Sequence, residues 1–154
     1  KLKGEGAKKL DTNKISDTDG KYWVKQGSHV TLEGCIKDVP NALDDLGKWF
    51  FDRTGHKLVC TAGTNGKHSS GPHSHANGWK MDVNDWFGPE GLSGGWIINS
   101  DDTPGSLCYE FIEYGRSIGL GMNLEDDHID VQMDGTEWND NNPGGIHNSG
   151  GYRS

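Results

Sequence analysis

Cysteine is scarce in this chain, and long apolar runs are lacking altogether. Its three cysteines, Cys35, Cys60 and Cys108, include no CxxC pair. That excludes a disulfide framework and a thiolate zinc site. Cys60 and Cys108 lie in apolar stretches and are expected to be small buried residues, although the sequence leaves one bridge open. No segment is apolar over the roughly 20 residues that a membrane helix needs, and no signal-peptide pattern is present. Positive charge is short as well. With 15 Lys and Arg against 23 Asp and Glu, the formal net charge is -8. A nucleic acid partner is therefore not expected, because a phosphate backbone needs a basic face. Apolar residues make up only 31% of the chain while glycines number 24. This predicts irregular, glycine-rich loops around a modest core.

Its 154 residues suit a single domain. Six Trp and four Phe offset the low aliphatic content, since each buries a large area. Charge is unevenly spread. Lysines gather at the start (Lys1, Lys3, Lys8, Lys9, Lys14, Lys21, Lys25), and carboxylates crowd the last third. Solvated faces are the plain meaning of such runs. The chain opens on Lys1 rather than Met, as expected of an excised domain, a processed product, or part of a larger virion or envelope protein.

Residues 1–20 read as a polar arm, and 134–154 as a Gly/Asn-rich loop or tail. Tyr22–Lys25 and His29–Glu33 have the look of short strands. Val39, Ala42, Leu43, Leu46, Trp49 and Phe50 recur at helical spacing. This predicts a helix over 39–54, capped by Asp38 and ended by Gly55. A strand is expected over 56–62, then a loop over 63–74, then an alternating strand over 79–83. Trp96–Ile98 is a further short candidate. A second helix is expected from a cap at Asp102 or Thr103, with Pro104 in its first turn, to Gly119. Residues 128–133 alternate again. In both alternating strands the apolar residues are odd-numbered (Met81 and Val83; Ile129, Val131 and Met133). Asp82 and His128 should therefore share the opposite face.

Two motifs carry chemistry. In His73-Ser-His-Ala-Asn-Gly-Trp-Lys-Met-Asp82, six residues separate His75 from Asp82, with Gly78 between. In Glu125-Asp-Asp-His128, a glutamate precedes a histidine by three. Two imidazoles and one carboxylate can bind zinc and leave a position open for water. A further carboxylate beside that water can serve as general base. Solvated turns and ordinary loop histidines are the bland alternative, and Asp126, His68 and His147 are assigned to it. Asp127 could support the histidines from behind. Trp86, Phe87, Trp96 and Trp138 are candidates for a sugar- or peptide-binding groove, and Gly144–Gly151 for a flap over it.

These motifs resemble those of the zinc peptidases of peptidoglycan, the D-alanyl-D-alanine carboxypeptidase, dipeptidase and phage endolysin group with its hedgehog-like fold. The shared pattern is Ser-x-His-x-x-Gly-x-Ala-x-Asp, followed by Glu-x-x-His or His-x-His. The resemblance spans roughly residues 39–133. It implies His75, Asp82 and His128 as zinc ligands and Glu125 as general base. If the His-x-His subtype applies instead, Asp130 takes the third ligand's place. His73 stands where the family has Ser, and Lys80 where it has Ala. The Arg that many of the carboxypeptidases use to hold a substrate carboxylate is missing from the loop containing Lys67. His73, Lys67 and Lys80 are the candidate substrate contacts. Without the Arg clamp, an endopeptidase is favoured over a carboxypeptidase.

The expectation is an α+β domain with a small, mainly antiparallel sheet, helices on one face and a zinc site on the other. Its function would be zinc-dependent hydrolysis of a peptide bond in bacterial peptidoglycan, outside the cytoplasmic membrane, in a phage virion or lysis protein or a secreted wall hydrolase. The alternative is a non-catalytic zinc-containing binding or structural module of the same fold.

Overall fold

The computed structural model describes residues 10–65, 74–84, 104–125, 128–134 and 151–153. Among these lie five strands and two helices: β1 (Trp23–Lys25), α1 (Asp38–Thr54), β2 (Leu58–Ala62), β3 (Lys80–Asn84), α2 (Leu107–Ser117), β4 (Gly121–Leu124) and β5 (Ile129–Gln132). They form an α+β fold on one mixed sheet, ordered β1-β2-β3-β5-β4. Only β1 and β2 run parallel, as befits two strands joined through a helical crossover. The remaining pairs are antiparallel.

Alternation divides the sheet into two chemically different faces. One carries Leu58 and Cys60 of β2, Met81 and Val83 of β3, Ile129 and Val131 of β5, and Met122 of β4. All are buried in the hydrophobic core. Cross-strand register matches them in rows: Cys60 with Val83, Met81 with Val131, and Val131 with Met122. α1 contributes Val39, Ala42, Leu43, Leu46 and Phe50 to this core, and α2 contributes Cys108, Phe111 and Ile112. Each helix faces the sheet with the apolar stripe that its 3.6-residue period creates. The other face is polar, with Ala62, Asp82, Asp130 and Asn123 in one row across four strands.

Several boundaries differ from the sequence reading. Asp38 is in the first turn of α1, not at its cap; Lys37 holds that place and makes no side-chain cap. α2 starts later than Pro104 suggests. Gly105 turns the chain at φ 95°, and Ser106 caps the helix by accepting from the Tyr109 N–H. His29–Glu33 is not a strand, although Val30 and Leu32 are fully in the core. Its backbone is satisfied by side chains instead: Thr31 N–H donates to Asn65 Oδ1, and Leu32 N–H to Asp17 Oδ1. β4 escaped the sequence reading. The end of the chain is not wholly a tail, because Tyr152 is buried in the core and its N–H bonds to Met133 O. All three cysteines are free and buried, so no bridge forms. Trp96–Ile98 lies outside the described residues.

Candidate metal centre

Ala62, Gly63, the 74–78 turn, β3 and β5 meet on the polar face. The turn is held by Gly78, whose φ is 81° and whose N–H bonds back to His75 O. A Cβ at Gly78 would lie 2.5 Å from Gly34 O and 2.6 Å from Cys35 Cα. Both the positive φ and the close approach therefore require glycine here. Trp79 N–H bonds to Ser74 O, which joins the turn to β3 and places His75 over the sheet.

The His75 ring is fixed at both nitrogens. Nδ1 lies 3.0 Å from Gly63 O. A carbonyl can only accept, so Nδ1 carries the proton and Nε2 faces the other way. Nε2 lies 3.2 Å from Asp82 Oδ1 and 3.3 Å from Asp130 Oδ1. These two carboxylates are cross-strand partners on β3 and β5. Both oxygens are buried and lack a hydrogen-bond partner of good geometry. Three electron-pair donors thus crowd one point, an arrangement that needs a positive charge at its centre. His75, Asp82 and Asp130 can hold a metal ion, their ligand atoms all lying within 4.8 Å of one another. The 3.2 Å and 3.3 Å separations from His75 Nε2 are those of neighbouring ligands on one small ion, since ligand bonds of about 2.0–2.2 Å place such donors roughly 3.3–3.6 Å apart.

A proton on His75 can supply that charge. Burial opposes the imidazolium, but hydrogen bonding and charge from Asp130 and Asp82 outweigh it. The His75 pKa is raised to about 9. Asp130 shows the reciprocal effect: burial works against its charge, yet His75 and then Lys80 hold its carboxyl below the usual range.

His128 approaches from the other side, its Nε2 3.6 Å from Asp82 Oδ2. It is half-buried where Asp82 is nearly enclosed. Glu125 and His128 are opposed across the mouth of the β4–β5 hairpin, joined by Glu125 N–H to His128 O at 2.9 Å. The Glu125 side chain is exposed there. Lys80 shares the polar face, paired in register with Gln132, and its charge reaches Asp130.

No protein-family model, curated protein or solved structure matches the chain. The site therefore rests on its own geometry.

Of the candidate site residues, the structure gathers His75, Asp82 and Asp130 around one point, sets His128 against the outer oxygen of Asp82 and Lys80 within charge range of Asp130, and ties Glu125 to the site only through its backbone bond to His128. His73, Lys67, Asp127 and the aromatics Trp86, Phe87, Trp96 and Trp138 lie outside the described residues, as does all of 144–151 except Gly151. Gln132 was not singled out in the sequence. It is 2% exposed and donates from Nε2 to Asp130 Oδ2 at 3.5 Å. Its place two residues after Asp130 on an alternating strand was the available signal.

Proposed function

We propose that this centre binds zinc and that the protein hydrolyses a peptide bond in bacterial peptidoglycan, acting in the cell envelope or as part of a phage virion. The observation that carries the reading is the convergence of the His75 and Asp82 donor atoms, with His128 against the far oxygen of Asp82. These are the three residues that the resemblance to the zinc peptidases of peptidoglycan implies as ligands. The hedgehog-like arrangement of that group fits a sheet with its helices on one face and the donors on the other. When bound, zinc would supply Lewis acidity to a substrate carbonyl and lower the pKa of a water.

The chain's own groups have separable roles. Gly63 O fixes the His75 tautomer, so that Nε2 presents its lone pair to the centre. Asp82 offers one oxygen toward His75 and the other toward His128. Glu125, exposed at the hairpin mouth, is the candidate to accept a proton from water beside the centre. Lys80 would meet an anionic part of the substrate, such as a peptide carboxylate, as a point charge rather than a bidentate clamp. So loose an anion contact suits cleavage inside a wall peptide better than removal of a terminal residue.

Glu125→Gln tests the assignment. Peptide release from purified peptidoglycan should fall by about 100-fold or more while zinc content stays at the unsubstituted level. Unchanged release would remove Glu125 from the mechanism. Absence of release even from the unsubstituted, zinc-loaded chain would favour a non-catalytic module built around the same centre.

A further inference from the structure

We propose that the centre is a one-histidine, two-aspartate one, in which Asp130 binds the same ion as His75 and Asp82, Gln132 holds Asp130 in position, and His128 stands outside the ligand set. The proposal rests on the reading of His75 and Asp82 as ligands. It departs from the ligand set of the peptidases that the motifs resemble, which has a single carboxylate.

Four observations converge on Asp130. It is the direct cross-strand partner of Asp82, so the two carboxylates leave the same face of adjacent strands. Its Oδ1 is as close to His75 Nε2 as Asp82 Oδ1 is, 3.3 Å against 3.2 Å. That Oδ1 is buried without a hydrogen-bond partner, as is Oδ1 of the 7% exposed Asp82. Its other oxygen is engaged by the Gln132 amide at 3.5 Å. Gln132 is itself buried between Lys80 and Gly121, its register partners on either side. A Cβ at Gly121 would come within 3.4 Å of Gln132 Oε1, so the absence of a side chain there leaves room for the amide. An outer amide that occupies one carboxylate oxygen and turns the other inward is the usual way a metal-binding carboxylate is oriented.

The second carboxylate changes the character of the site. Two aspartates cancel the charge of a divalent ion, where one would leave it net positive. Oxygen-rich donors also extend the range of ions toward manganese and cobalt beside zinc. Three protein ligands leave the fourth position of a tetrahedral ion open, as a hydrolytic centre requires.

The test is zinc affinity of the full chain, stripped of metal and titrated with zinc against a chromophoric chelator. Asp130→Asn should weaken zinc by about 100-fold, comparable to Asp82→Asn, because it removes a charged ligand. Gln132→Met should weaken it by about tenfold while leaving the melting temperature of the metal-free chain unchanged, which a merely structural role would not do. If Asp130→Asn fails to fold, Gln132→Met stands alone, and unaltered affinity in that variant overturns the proposal. Unsubstituted affinity in Asp130→Asn, together with a large loss in His128→Gln, also overturns it while leaving the three-ligand zinc reading intact. A parent chain that binds no zinc overturns both.

Discussion

His75 is gripped at both ends of its ring, and that has a consequence for pH. In the metal-free chain its pKa is raised from the ordinary 6.5 to about 9. Its pairing with Asp82 and Asp130 therefore stabilises the metal-free fold fully below about pH 6.5, and that stabilisation fades as pH rises through 9. On the proposed reading, zinc would have to displace that proton. Zinc affinity should accordingly rise about tenfold per pH unit between pH 7 and 8, with about one proton released per ion in calorimetry across two buffers. A flat affinity over that range would mean that His75 does not ligate. Gly78 is the other residue on which the centre depends. Gly78→Ala forces a Cβ into the backbone of Gly34 and Cys35 at a positive φ. The change should cost about 1–3 kcal/mol in chemical denaturation and weaken zinc by displacing the His75 turn. Wild-type stability and zinc binding in that variant would contradict this account of the turn.

Elements were legible where their periodicity was strong and their ends were marked by local chemistry. α1 shows its stripe from Val39 to Phe50 and ends at Gly55, which takes the left-handed conformation and bonds to Phe51 O. β3 and β5 show their alternation, and their parity places Asp82 and Asp130 together because strand pairing preserves faces. β4 was missed because it is only four residues long, and Met122 and Leu124 are too short an alternation to mark a strand. His29–Glu33 was misread because alternation does not distinguish a paired strand from an extended segment bound by Asp17 and Asn65 side chains. The docking of Tyr152 was invisible in the sequence. It depends on contact with α1, where its hydroxyl donates to the Asp45 carboxylate, and on Gly119, which leaves space for Gly151 O. Tyr152→Ala should cost about 3 kcal/mol or more, as for other large buried aromatics. A loss below about 1 kcal/mol, the range of an ordinary surface change, would show that this end does not hold the fold together.

At the scale of the whole molecule, the sheet separates stability from chemistry. Everything that packs the helices lies on one face, and every donor of the centre lies on the other. Substitutions at Asp82 or Asp130 should therefore alter metal binding more than global stability. Net charge bears on the substrate: the chain carries -8 overall, so an anionic wall peptide would meet local cations such as Lys80 rather than a broadly attractive field. The most direct measurement is mass spectrometry of the fragments released from purified peptidoglycan by the zinc-loaded chain, by the chelator-stripped chain, and by the stripped chain after zinc is restored. The account predicts peptide-bond fragments in the first and third samples and none in the second. Fragments that persist without metal, or no fragments from the folded zinc-loaded chain, would contradict it.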